Sequence, residues 1–169
     1  MYTEILRFAL LHSELNMDYN ENPKDYHPRM HSAEHLLNGT MDKMFQRGRA
    51  FSAHIEKKKS KCDYRFDRDL TAEEIQTIEN IVNKQIALDL PVKESFINRD
   101  EAVGRFNLSR LPEEAGENLR VISIGEYDNC LCSGPHVTST KEIGTFRIIS
   151  TNFENGILRV RFKLLESLI

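Results

Sequence analysis

From Met30 onward the apolar positions Met30, Ala33, Leu37, Met41 and Met44 recur at spacings of three and four, which predicts a helix running through Phe45. Gly39 sits inside that helix and weakens its intrinsic propensity. A second stripe, Ile75, Ile78, Val82 and Ile86, follows the tetrapeptide TAEE, whose Thr71 and Glu74 have the spacing of a reciprocal cap, so a helix is predicted from Thr71 to about Asp89. Between these helices, residues 51–68 read FSAHI, KKKSK and CDYRFD, two strands joined by a basic turn. PVKESFI (91–97) reads as a strand, and Asn98 with Glu101 starts a short helix ending near Phe106. LRVISIG (119–125), GTFRIIS (144–150) and ILRVRFK (157–163) complete the strands, with ENG as a hairpin turn between the last two. In the final strand Leu158, Val160 and Phe162 face one way and Arg159, Arg161 and Lys163 the other. The first thirty residues are ambiguous: Ile5, Phe8, Ala9 and Leu11 suit a strand or a short helix, and MDYNENPKDYHPR (17–29) reads as a loop close to a site. The expected class is α+β, antiparallel strands carrying helices on one face.

A chain of 169 residues fits a single domain, 1–169, large enough to bury a real core. With 40% apolar and 29% charged residues it belongs among globular rather than disordered sequences. Runs such as FALL and LLESLI are far shorter than the roughly 20 residues that span a bilayer, and no signal-peptide pattern opens the chain. A cytoplasmic protein is therefore expected. The formal charge of −3 offers no global attraction to nucleic acid. Local basic clusters remain, at Lys57, Lys58, Lys59 and Lys61 and on the face of Arg159, Arg161 and Lys163.

The three cysteines, Cys62, Cys130 and Cys132, are too few for a secreted disulfide framework. In an extended segment the two sulfurs of Cys130 and Cys132 would stand on the same side about 6.6 Å apart, a poor geometry for closing on each other. Metal binding is the better use of this region. HSAEH (31–35) places His31 and His35 one turn apart on one side of the first helix. In CLCSGPH, Cys132 and His136 flank Ser133, Gly134 and Pro135, a turn-forming insert able to bring thiolate and imidazole together. Two helix histidines plus a cysteine and a histidine from a loop make a four-donor set suited to Zn2+. HSAEH is not H-E-x-x-H, so the metalloprotease base is absent, and Glu34 reads as a helix-surface residue. Cys130, outside the set, is expected to pack in the core.

Together, H-x-x-x-H at 31–35, YRFDRDLTAEEIQTIENIVNKQI (64–86) and DNCLCSGPHVTSTKEIGTFRI (128–148) resemble the editing domain shared by alanyl-tRNA and threonyl-tRNA synthetases and by free-standing alanyl-tRNA editing proteins. The similarity runs from about residue 25 to residue 165. It implies that His31, His35, Cys132 and His136 correspond to the family's metal ligands. It also implies hydrolysis of mischarged tRNA: Ser-tRNA(Ala) or Gly-tRNA(Ala) by likeness to the alanyl branch, Ser-tRNA(Thr) by likeness to the threonyl branch. The loop CSGPH is closer to the threonyl C-R-G-P-H than to the alanyl C-G-G-T-H, whereas HVTSTKEIG is similar to the alanyl continuation. The Q-x-G-S segment of many alanyl-type domains has no clear counterpart, and FSAH at 51–54 stands in its place, making Ser52 and His54 the replacements to consider. Nothing resembles ATP-binding or activation machinery, so a free-standing protein acting on tRNA charged elsewhere is implied.

On this reading the zinc supplies hydroxide or orients the substrate amine. Asp128 and His54 are candidates to activate water or contact the terminal ribose. The basic clusters Lys57 to Lys59 with Lys61, and Arg159, Arg161 and Lys163, are the candidate phosphate contacts. The competing expectation is a non-catalytic tRNA-binding or synthetase-associated module with a structural zinc.

Overall fold

Pro28 begins the first helix, α1 (Pro28–Phe45), two residues before the predicted start. A proline fits there because the first helical N–H has no intrahelical partner and its φ is already helical. The computed structural model describes residues 26–109, 111 and 115–166. The expectations for the first 25 residues lie outside these. The following elements are β1 (Ser52–His54), β2 (Ser60–Arg65), α2 (Ala72–Ala87), β3 (Val92–Asn98), α3 (Arg99–Val103), β4 (Asn118–Ile124), β5 (Asp128–Leu131), a 3-10 turn (Thr140–Ile143), β6 (Thr145–Glu154) and β7 (Ile157–Leu165). The class is α+β. The segment holding Cys130, expected as loop, is strand β5, and Cys132 follows its end.

The described residues divide into two compact units. In the larger (26–93, 123–128 and 134–166) four antiparallel strands run in the order β1-β2-β7-β6. One face carries Cys62, Tyr64, Leu158, Val160 and Phe162 into a core shared with Met30, Ala33, Leu36, Leu37 and Met41 of α1 and Ile78, Val82 and Ile86 of α2. The ENG turn is present: Asn155 and Gly156 both have positive φ, as a two-residue hairpin loop requires. Strand β6 runs to Glu154, past its predicted end, and its register against β7 shifts between Ile148 and Ser150. Buried Glu79 of α2 accepts the Ile148 N–H at 2.7 Å and an Arg147 N–H at 2.9 Å, satisfying the backbone at this bulge. The smaller unit (94–109, 111, 115–122 and 129–133) carries α3 and most of a sheet ordered β3-β4-β5 around Ala102, Ala115 and Leu119. Among the described residues no helix is long and apolar enough to cross a membrane.

At the start of α2 the predicted capping box is complete: Thr71 Oγ1 accepts the Glu74 N–H and the Glu74 carboxylate accepts the Thr71 N–H. Arg68 donates to both Glu74 oxygens, and this guanidinium, ahead of the backbone bond, draws the carboxyl from 4.5 down to about 2. A depressed carboxyl stabilises the folded chain above 4.5, and that contribution disappears as pH falls towards 2. Thr71→Ala is expected to cost about 1 kcal/mol, read as a lower urea midpoint at unchanged slope.

Candidate metal centre

His31 and His35 lie on the first two turns of α1, 4% and 2% exposed. Three imidazoles meet there: His31 stacks on His136 with centroids 4.0 Å apart, and His35 stands edge-on to both at 5.0 and 4.5 Å. Each uses its Nδ1 elsewhere. His31 Nδ1 lies 3.0 Å from the Pro135 carbonyl, His136 Nδ1 lies 2.9 Å from Ser32 Oγ, and His35 Nδ1 faces Asp128 Oδ2 at 3.5 Å. The Pro135 carbonyl only accepts, so in that contact His31 Nδ1 is the donor and Nε2 is left to face the cluster. Ser32 Oγ also accepts the Val137 N–H at 3.2 Å, so one hydroxyl ties the histidine loop to the helix.

Cys132 follows β5, two residues before the chain re-enters the larger unit at Gly134. Its sulfur and one ring nitrogen from each of His31, His35 and His136 lie within 4.8 Å of one another. Three imidazoles and a cysteine sulfur, two of the four residues buried and two half-buried, fit a metal ion, and their chemistry suits zinc. The Nδ1 partners are the kind that set tautomer and ring orientation in such sites.

Two glycines permit this packing. A Cβ on Gly134 would meet His31 Cε1 at 2.5 Å and Nδ1 at 2.7 Å. A Cβ on Gly39 would meet Asp128 Oδ1 at 3.1 Å and Tyr127 at 3.4 Å, so the helix-weakening glycine lets the Tyr127–Asp128 turn close on α1. Lys43 donates to the Tyr127 carbonyl at 2.5 Å and the Thr40 hydroxyl bonds the Tyr127 phenol at 2.7 Å, fixing that turn.

Asp128 is 6% exposed. Arg49 grips it with both terminal nitrogens, at 2.5 and 3.2 Å. Burial pushes its carboxyl up, but His35 and Arg49 outweigh burial and hold it at about 2. His54 sits on the exposed edge strand β1, its side chain 63% exposed and its Nε2 2.6 Å from Glu56 Oε1; Ser52 is exposed on the same strand. Neither belongs to the four-donor group.

Two expectations change. Glu34, read as a surface residue, is 9% exposed, because α1 is enclosed on all sides from Met30 to Met41. The signal was in the sequence: between Met30 and Met41, Glu34 is the one Asp, Glu, Lys or Arg. Cys130, expected in the core, is half-buried and its thiol donates to the Leu131 carbonyl at 3.3 Å. The core thiol is Cys62, whose pKa burial pushes well up, leaving it unreactive.

The chain is an α+β protein that gathers three histidines and one cysteine in an arrangement able to hold a metal ion, and comparison with known proteins narrows its class. Residues 119–160, which include Cys132 and His136, match the family described as Threonyl and Alanyl tRNA synthetase second additional domain. The chain is 34% identical over 134 residues to an alanine–tRNA ligase of Fervidobacterium nodosum, covering 78% of the chain and 16% of the ligase. It is 35% identical over 144 residues to that of Leptospira biflexa, covering 81% of the chain and 15% of the ligase, and 32% identical over 138 residues to that of Coxiella burnetii, covering 78% and 16%. The chain belongs with the threonyl and alanyl tRNA synthetase second additional domain. It spans about 16% of the length of the curated relatives it matches.

Proposed function

We propose that this protein is an aminoacyl-tRNA deacylase of the editing type, hydrolysing the ester of mischarged tRNA in trans: Ser-tRNA(Ala) or Gly-tRNA(Ala), with Ser-tRNA(Thr) the further substrate to test. The observation that carries the reading is the donor cluster of His31, His35, Cys132 and His136 in a chain related to a synthetase editing domain. Zinc held by these four residues would act as a Lewis acid toward the ester or its attacking water. The chain's own contribution is orientation. Asp128, braced by Arg49, sets the His35 ring, the Pro135 carbonyl sets His31, and Ser32 sets His136. Asp128 therefore serves as a positioning residue, its oxygens being already engaged. His54, on the outer edge strand, is the remaining candidate for a contact with the ribose or backbone of the tRNA. A role on tRNA places the protein in the cytoplasm.

The open face of the four-stranded sheet supports the tRNA partner. Lys61 is the cross-strand partner of Arg161. Like charges placed directly opposite one another destabilise a sheet unless an anion lies over them. Arg159 is already paired with Asp63 by two bonds of 2.7 Å, which leaves Lys61, Arg161 and Lys163 with the exposed Lys57, Lys58 and Lys59 as the phosphate contacts.

A complete four-donor set is also what a structural zinc requires, so a non-catalytic tRNA-binding or synthetase-associated module is the second reading. Zinc analysis followed by deacylation of Ser-tRNA(Ala), Gly-tRNA(Ala), Ser-tRNA(Thr) and correctly charged controls decides between them. The proposal expects zinc near one per chain, release of serine or glycine but not of cognate amino acid, and kcat/KM falling steeply with salt. Retained zinc with no hydrolysis of any ester selects the module, and salt-independent turnover removes the phosphate contacts.

A further inference from the structure

The rings of His31, His35 and His136 each meet a partner at a ring nitrogen: the Pro135 carbonyl, Asp128 and Ser32. The fourth donor, Cys132, is held through its backbone, and both bonds come from Arg120. Strand β5 ends at Leu131, yet the Cys132 N–H reaches the Arg120 carbonyl at 3.2 Å, which carries the pairing with β4 one residue further. The Cys132 carbonyl then accepts from Arg120 Nη1 at 3.0 Å. Arg120 Nε donates in turn to Glu94 of β3, and the Arg120 side chain is 13% exposed against 42% for Glu94. Glu94, Arg120 and Cys132 therefore form a row running from β3 through β4 to the residue after β5, all within the smaller unit.

A peptide group is planar, so fixing the N–H and the C=O of one residue orients the two planes that meet at its Cα. With both planes fixed at Cys132, the direction of its Cα–Cβ bond is fixed too, and the sulfur keeps only rotation about χ1. Cys132 lies past the end of β5, where regular strand pairing no longer sets the backbone. Arginine suits this place. Its planar fork offers Nε to one partner and Nη1 to another in fixed geometry, whereas a lysine ammonium is a point donor on a flexible stem. The bond to the carbonyl is charge-assisted, hence of the stronger kind. We propose that Arg120, braced by Glu94, is the positioning residue of the cysteine donor, setting the direction in which the Cys132 sulfur is offered to a metal. This rests on the metal-centre part of the reading above and not on hydrolysis.

The test measures zinc affinity by competition with a chelator, and the spectrum of the cobalt-substituted protein, in Arg120→Met, Arg120→Lys, Glu94→Ala and Arg99→Met. Arg99 is the control: in the same unit it donates to the Ala115 carbonyl, a like bond that does not involve the cysteine. Arg120→Met should lower zinc affinity about 10–100-fold, the loss that follows removal of a group orienting a ligand. Its cobalt form should lose intensity in the sulfur-to-cobalt charge-transfer band, which reports the thiolate ligand alone. Arg120→Lys should restore neither readout, since one ammonium cannot hold Glu94 and the carbonyl in the geometry of the fork. Glu94→Ala should fall between Arg120→Met and the wild type, and adding it to Arg120→Met should cost little more, because the two act through one contact. Arg99→Met should keep wild-type affinity and spectrum. Unchanged affinity and spectrum in Arg120→Met, full rescue by Arg120→Lys, or an equal loss in Arg99→Met overturns the proposal while leaving the metal centre standing. Should Arg120→Met fail to fold, Glu94→Ala, which keeps the guanidinium, carries the same test, and wild-type behaviour there overturns the proposal equally. A wild type that takes up neither zinc nor cobalt overturns the metal centre and this proposal with it.

Discussion

Cys132→Ala is expected to leave the protein nearly free of zinc and to abolish deacylation. The remaining donors would be three neutral imidazoles, since the thiolate is the one anionic atom in the group. Losing an outer-sphere partner of a metal ligand already costs about 10–100-fold in affinity, so removing a ligand itself should exceed about 100-fold. As a ligand, the thiolate would also offset the charge of a divalent ion in a cluster where His31 and His35 are almost fully buried. The control is Cys130→Ala, two residues away, whose thiol is used by the Leu131 carbonyl and which should keep full metal content. Metal analysis of the two variants and a single-turnover assay with Ser-tRNA(Ala) make the measurement. A Cys132→Ala protein with wild-type zinc and wild-type rate would remove both the ligand set and the catalytic proposal built on it.

What was legible in the sequence were the features with local causes. The α2 stripe and its cap lie within one stretch of chain, and the Asn155–Gly156 turn is dictated by its own two residues. The donors could be named because each half of the set has its own spacing, four residues in both HSAEH and CSGPH. What holds those donors was hidden, since it depends on which distant segments touch. Asp128 meets His35 across ninety-odd residues only because Gly39 leaves room for its turn, a fact with no signature in the spacing of either. Ser32 has no signal in the helix spacing, yet its hydroxyl lies between His136 and Val137. The end of β6 was misplaced for the same reason: its bulge is stabilised by Glu79, from a helix seventy residues earlier. Glu34 was misread because an apolar stripe describes one face of a helix, and α1 is covered on all of them.

Gly134→Ala should act at the metal centre through His31 without touching any donor atom. The added methyl would stand 2.5 Å from His31 Cε1 and 3.1 Å from the Tyr26 ring, closer than carbon atoms pack. A surface side chain would swing aside. This imidazole is buried, stacked on His136 at 4.0 Å and bonded to the carbonyl of the next loop residue, Pro135, so it yields only by leaving the cluster. Overpacking of this kind costs about 1–3 kcal/mol, and a displaced ligand should lower zinc affinity by at least about 10–100-fold. Stability and affinity can be separated by measuring thermal unfolding with zinc and with chelator: the metal-dependent part of the melting shift should shrink most in the variant. Introducing the same change into His31→Ala provides the decisive comparison, because residues acting through one contact are not additive. If the methyl works by moving His31, Gly134→Ala should cost little further zinc affinity once the imidazole is gone. An equal loss in both backgrounds would show that Gly134 shapes the loop for Cys132 and His136 rather than making room for His31.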